Sequence, residues 1–110
     1  MKENHANKKL DAILDKTEIE IKNLAYIINN IISELALDPE NDLLIRIGQK
    51  IMETRTALAG INSQIVETFA PNNKEYLKRV QEAIRHIKKE NEQKNNEFEN
   101  AGKMSYNYRY

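Results

Sequence analysis

The side chains best suited to catalysis or metal binding are few and widely spaced in this 110-residue chain. His5 and His86 are far apart, so the two histidines cannot share one helical turn, as a helical metal site would require. Ser33, Ser63 and Ser105 have no base beside them in the sequence to activate a hydroxyl. We therefore predict no catalytic residues, no metal site, no cofactor and no enzymatic activity.

A helical stretch near the C-terminus carries the other polar candidates. Glu82 and His86 are four residues apart, and a surface ion pair is the favoured interpretation over an acid–base or metal role. Lys78, Arg85 and Lys89 fall on one face of the same stretch, with Lys88 next to them, and could contact phosphates. Interleaved glutamates dilute this basic surface, so we expect a solvated face rather than nucleic-acid binding.

The overall composition fits a small protein without a nucleic-acid or membrane-spanning character. Seventeen basic and seventeen acidic residues cancel, and there is no cysteine for a disulfide or a thiolate zinc site. No apolar run is long enough for a signal peptide core or a membrane span. A cytoplasmic location is the simplest expectation, with any action at a membrane coming from its inner face.

Apolar spacing predicts three long helices. Residues spaced by three and four define helix 1, whose stripe is Leu10, Leu14, Thr17, Ile21, Leu24, Ile28, Ile31 and Leu35. Helix 2 follows a break at Pro39, with Asp38 as its predicted N-cap and Pro39 in its first turn. Its stripe is Leu44, Ile47, Ile51, Thr54, Leu58, Ile61, Ile65 and Thr68. Helix 3 begins near Asn73, and its stripe is Leu77, Val80, Ile84 and Ile87, followed by the polar Asn91 and Lys94 and then Phe98.

These elements predict an all-α fold, an antiparallel helical bundle forming a single domain over residues 1–110. Helix 2 contains Gly60, which would give four helices if it breaks the chain, although the in-register stripe favours continuity. Residues 1–9 are expected to fray. Because the apolar part of helix 3 is short, the end of the bundle around Ile31 and Leu44 is predicted to lack a helix 3 partner.

The last ten residues, 101–110, form a predicted tail with an unusual aromatic content. Tyr106, Tyr108 and Tyr110 are three of the five tyrosines in the chain, and Arg109 lies among them. Two interpretations carry equal weight: the tail packs back over the open bundle end, or it recognises a partner, because Tyr and Arg are enriched at binding hot spots. A second copy of the chain could also cover that end.

Two segments resemble the immunity proteins that protect producers of pediocin-like (class IIa) bacteriocins. The first combines the run Ile27, Ile28, Asn29, Asn30, Ile31 and Ile32 with the turn Asp38, Pro39, Glu40 and Asn41. The second is the C-terminal run Ser105, Tyr106, Asn107, Tyr108, Arg109 and Tyr110.

The resemblance implies a cytosolic four-helix bundle that blocks killing by associating with a bacteriocin-occupied membrane permease of the mannose phosphotransferase type. It also implies that specificity lies at the end of helix 3 and in the tail. Tyr106, Tyr108, Arg109 and Tyr110 are then the expected partner contacts, with Arg85, Lys88 and Lys89 as accessory contacts. The alternative from the sequence is a non-enzymatic helical adaptor of plasmid or phage origin that dimerises.

Overall fold

The fold is three long antiparallel helices packed against one another, which confirms the all-α bundle predicted from the apolar spacing. A computed structural model describes the backbone of residues 2–108 and the side chains of residues 8–100. Helix α1 spans Lys2–Leu37, α2 spans Asp42–Phe69 and α3 spans Lys74–Tyr108. The bundle is a rod with extents of 69 × 18 × 14 Å.

Two short turns reverse the chain, and each is followed by an asparagine cap. Asn41 accepts a hydrogen bond from the Leu44 amide at 3.1 Å, so α2 begins after Asn41 rather than at Asp38 and Pro39 as the sequence indicated. Asn73 accepts from the Tyr76 amide at 3.1 Å, in agreement with the predicted start of helix 3. Each cap satisfies an amide that the first helical turn leaves unpaired.

Helix α2 is continuous through Gly60, so the described chain has three helices rather than the four that the resemblance implies. A Cβ added at Gly60 would meet no neighbouring atom within 4 Å, so no close packing contact requires glycine there. The helical hydrogen bonds of the surrounding residues are sufficient to carry the helix across it.

The core runs the length of the rod as three clusters. At one end Leu14 and Val66 pack with Tyr76 and Val80, and in the middle Ile21 packs with Ala59 and Ile87. The third cluster lies at the opposite end and contains Ile28, Ile31, Leu35, Met52 and Phe98. Every residue of the predicted helix 1 stripe is buried or half-buried, which confirms that stripe.

The bundle end around Ile31 and Leu44 is not open, contrary to the sequence prediction. Phe98 of α3 is 2% exposed and fills the cluster there, since α3 continues far beyond its apolar first half. Gly48 of α2 makes room for it: an added Cβ would overlap the Phe98 ring, with Cε1 only 3.0 Å away. The glycine therefore serves packing and is not a weak point of the helix.

The backbone continues in helix through Tyr108, so the chain does not turn back at Ala101 and Gly102 to cover the bundle end as predicted. The side chains of residues 101–110, including those of the predicted tail contacts, lie outside the described residues. The side chains of residues 1–7 do as well, and the fraying predicted for residues 1–9 stays a prediction.

Candidate protein-interaction surface

The buried face of α2 is rotated away from the stripe that the sequence predicted. Its buried residues are Gly48, Met52, Arg55, Ala59, Asn62 and Val66. Of the predicted stripe, Ile47 and Ile61 are 41% and 49% exposed, and Thr54 and Thr68 are exposed as well. The prediction of helix 2 as a helix is confirmed, but its core-facing side is rotated by one residue. Of the predicted stripe, only Leu44, Ile51, Leu58 and Ile65 are half-buried against the core.

The rotation follows from the position of α2 between two neighbours. Arg55 and Asn62 reach α1, while Met52 and Thr56 lie near Asn91 of α3. The face of α2 that points between α1 and α3 is therefore its small and polar side. The most apolar side of α2 lies next to α1, on the side of α1 that is turned away from α3.

Exposed apolar residues of α1 and α2 therefore form one surface on this flank, which we call the α1–α2 face. In α1, Ile13 and Ile27 are 46% and 43% exposed, and helical spacing places both on one side with Leu24. The α1–α2 face comprises Ile13, Leu24 and Ile27 of α1 and Leu43, Ile47, Ile51, Thr54, Leu58, Ile61, Ile65 and Phe69 of α2.

The half-buried residues of this face attach it to the core. Ile51, Leu58 and Ile65 are half-buried, and each packs against a different one of the three core clusters. Ile47 and Ile61 alternate with them along the helix and are exposed to solvent. The face is thus a rigid apolar surface whose orientation is fixed by the core along the whole rod.

A buried arginine ties the three helices together beneath this surface. Arg55 is 5% exposed; its Nε donates to the Ile21 carbonyl of α1 at 3.0 Å, and its Nη1 pairs with Glu90 Oε2 of α3. Burial of Glu90 would raise its pKa, but the hydrogen bond and charge of Arg55 outweigh this effect and lower the pKa below its usual range. The pair keeps both charges inside the bundle.

His86 belongs to the same cluster, although with a different partner from the one expected. Its Nε2 lies 2.8 Å from Glu90 Oε1, whereas Glu82 pairs with Lys78 at 4.0 Å. The predicted Glu82–His86 pair is therefore not formed. The cluster borders a groove of about 420 Å³ between α1 and α3, which Ala25, Tyr26 and Ala83 also line.

A second polar cluster joins α1 to α3 near the other end of the rod. Arg79 donates to Glu18 Oε1 at 2.6 Å and to Asp15 Oδ1 at 2.6 Å, with Asp11 at 3.7 Å. The hydrogen bond that Arg79 donates to Glu18 raises the pKa of Arg79 despite its partial burial. Tyr76 hydrogen-bonds Asp11, and this bond with its burial raises the pKa of Tyr76 to about 12. The sequence showed no signal for these contacts, because the partners are more than 60 residues apart.

The basic residues predicted as accessory contacts lie together on the outer surface of α3. Arg85, Lys88 and Lys89 are all exposed, and no ion pair among residues 8–100 involves them. The backbone of Tyr106 and Tyr108 belongs to the last turns of α3. Arg109 and Tyr110 lie outside the described residues.

Among the described residues, no group of three or more His, Cys, Asp and Glu side chains is arranged to hold a metal ion. In the same part of the chain, none of the helices combines the length and apolar character needed to cross a membrane. Comparisons with protein-family models, curated proteins and solved structures found no match to this chain.

Proposed function

We propose that this chain is a non-enzymatic binding protein that recognises another macromolecule through the α1–α2 face. The observation that carries the proposal is the exposure of Ile47 and Ile61 on a stripe from which Ile51, Leu58 and Ile65 pack against the core. Exposed apolar surface of this extent on a small protein is typical of an interaction site.

The specific form of this function that we propose is bacteriocin immunity in the cytoplasm. Its support is the resemblance of the Ile27–Ile32 run, the Pro39 turn and the Tyr-rich end to immunity proteins of pediocin-like bacteriocins. In this role the chain associates with the bacteriocin-occupied mannose phosphotransferase permease from the inner side of the membrane. No step of this role requires a catalytic group.

Survival of a sensitive strain tests both the proposed binding role of the α1–α2 face and the proposed immunity function. The strain expresses the chain and is challenged with a panel of pediocin-like bacteriocins beside an empty-vector control. Expected is protection against one or a few of them, lost in Ile61→Glu and kept in Ile19→Glu. Ile19 is a matched control, because it is 56% exposed but lies on the outer side of α1.

The C-terminal end is tested in the same assay. Replacing Tyr106, Tyr108 and Tyr110 by Ser should abolish protection, while Tyr26→Ser, at a 68% exposed tyrosine of α1, should leave it unchanged. Charge reversal at Arg85, Lys88 and Lys89 should reduce it more weakly. Protection that survives loss of all three C-terminal tyrosines would remove the tail from the site.

Sensitivity to every bacteriocin in the panel would contradict immunity. The α1–α2 face would then support the alternative, a helical adaptor, because its exposed isoleucines do not depend on the resemblance. A nucleic-acid partner is not proposed, since seventeen basic and seventeen acidic residues leave the chain neutral.

A further inference from the structure

We propose that the α1–α2 face binds the same face of a second copy of this chain. The proposal rests on the proposed function only in taking this face as a binding surface. It differs from dimerisation through the Ile31 and Leu44 end, which Phe98 already covers. The occupant is identified by the length, area and charge of the face.

The length and area of the face are sufficient for a specific dimer. From Leu43 to Phe69, which are 65% and 76% exposed, α2 presents about 39 Å of surface at 1.5 Å per residue. Two packed helices with axes 8–10 Å apart are about 18 Å wide. The α1 half extends only from Ile13 to Ile27, about 21 Å, so the face offers about 540 Å² per copy. A dimer would bury about 1,080 Å² in total, above the roughly 1,000 Å² expected of a specific interface.

The charge pattern favours a partner with the same apolar character. The middle of the face is formed by Thr54, Leu58 and Leu24, with Glu20 beside them and Lys50 along the edge. The α1 half also carries exposed Lys16 and Glu34 in the same helical register as Ile13 and Ile27, so charges of both signs lie on the face. It has no excess of one sign that would select a strongly acidic or basic partner. A second copy supplies an apolar face of identical length.

The helical geometry allows a closed two-fold arrangement. Helices α1 and α2 form an antiparallel hairpin, so two hairpins placed face to face give four neighbouring helices of alternating direction. The exposed isoleucines of each copy then occupy the centre of a four-helix core, and each α3 remains on the outside. Such an isologous contact closes and does not extend into a fibre.

Molar mass in solution tests the proposal. Sedimentation equilibrium of the full chain should give twice the 12.8 kDa of one copy at micromolar concentration. Ile61→Glu places a charge within the interface and should weaken dimerisation at least about 100-fold, with unchanged helical circular dichroism. Ile19→Glu should leave the dimer intact.

Three results would overturn the proposal: a wild-type chain that stays at 12.8 kDa up to about 100 μM, a dimer that Ile61→Glu does not affect, or a dimer that both variants weaken equally. The first result combined with loss of protection in Ile61→Glu would show that the face binds a different macromolecule. In that case the proposed function stands and the second copy does not.

A second pair of variants tests the same contact in case the Ile61→Glu chain fails to fold. The chain has no cysteine, so Thr54→Cys and Ile19→Cys each introduce a single thiol. A short bismaleimide should join two copies efficiently through Thr54→Cys and poorly through Ile19→Cys. Equal cross-linking at the two positions would contradict the face-to-face arrangement.

Discussion

At the scale of single residues, the contact between Gly48 and Phe98 determines how the far end of the bundle is filled. We expect Gly48→Ala to destabilise the protein by about 1–3 kcal/mol, because the added methyl group overlaps the Phe98 ring. Gly60→Ala has open space and should instead stabilise it by up to about 1 kcal/mol. Urea unfolding measures both, and equal gains in the two variants would contradict the packing of Phe98 on Gly48.

This contact also shows what the sequence could reveal about individual residues. The helical register placed Phe98 on the inner stripe, yet the polar residues before it hid the fact that α3 fills the core again there. From the sequence alone, Gly48 is only a residue that weakens helix 2. Its role becomes visible only when a ring from a residue 50 positions away is placed against it.

The Arg55–Glu90 pair predicts a specific loss of stability in acid. Because the folded state lowers the pKa of Glu90 below its ordinary 4.5, the stability from this pair is present above pH 4.5. It is lost as the pH falls through the lower folded value. Glu90→Gln should destabilise the protein by about 2 kcal/mol at pH 7, less than for a fully buried pair because the Glu90 side chain is 31% exposed.

Urea unfolding between pH 7 and pH 3 checks this expectation. The difference between wild type and Glu90→Gln should shrink as the pH falls, because protonation removes the same charge. Glu82→Gln is the control, since Glu82 is 57% exposed and its ion pair with Lys78 is long, at 4.0 Å. A constant difference between wild type and Glu90→Gln across this range would show that Arg55 does not depend on the ionised carboxylate.

At the scale of the helices, the sequence predicted the number, order and apolar periodicity of the elements but not the rotation of α2. Periodicity identifies an apolar side, and it was assumed that this side faces the core. The buried side instead includes Arg55 and Asn62, which a sequence interpretation excludes because their partners are not visible. Asn62 donates to Thr17 of α1 at 2.7 Å, so its amide is buried at low cost.

The Arg79 cluster is predicted to stabilise the packing of α1 against α3. Arg79→Gln removes the charge shared by Asp11, Asp15 and Glu18, leaving three carboxylates of α1 close together. We expect a loss of about 1 kcal/mol at low salt and a smaller loss at high salt, since these side chains are partly exposed.

Thermal and urea unfolding at two salt concentrations measure this loss. The control is Arg46→Gln, whose arginine is 78% exposed and pairs within one helix with Asp42 at 3.8 Å. That variant should change stability little. An Arg79 effect no larger than the Arg46 effect would mean that the cluster does not contribute to the docking of α1 on α3.

At the scale of the whole molecule, the rod shape distinguishes the α1–α2 face from the bundle end as the place where copies meet. Two copies joined along the α1–α2 face lie side by side, so their longest dimension stays close to the 69 Å of one copy while the thickness grows. Two copies joined through the Ile31 and Leu44 end would extend to nearly twice that length. Small-angle X-ray scattering on the dimer measures the longest dimension directly. We expect the short value, because Phe98 fills the cluster at the end while Ile13, Ile27, Ile47 and Ile61 remain exposed along the side. A doubled length would assign the contact to the bundle end.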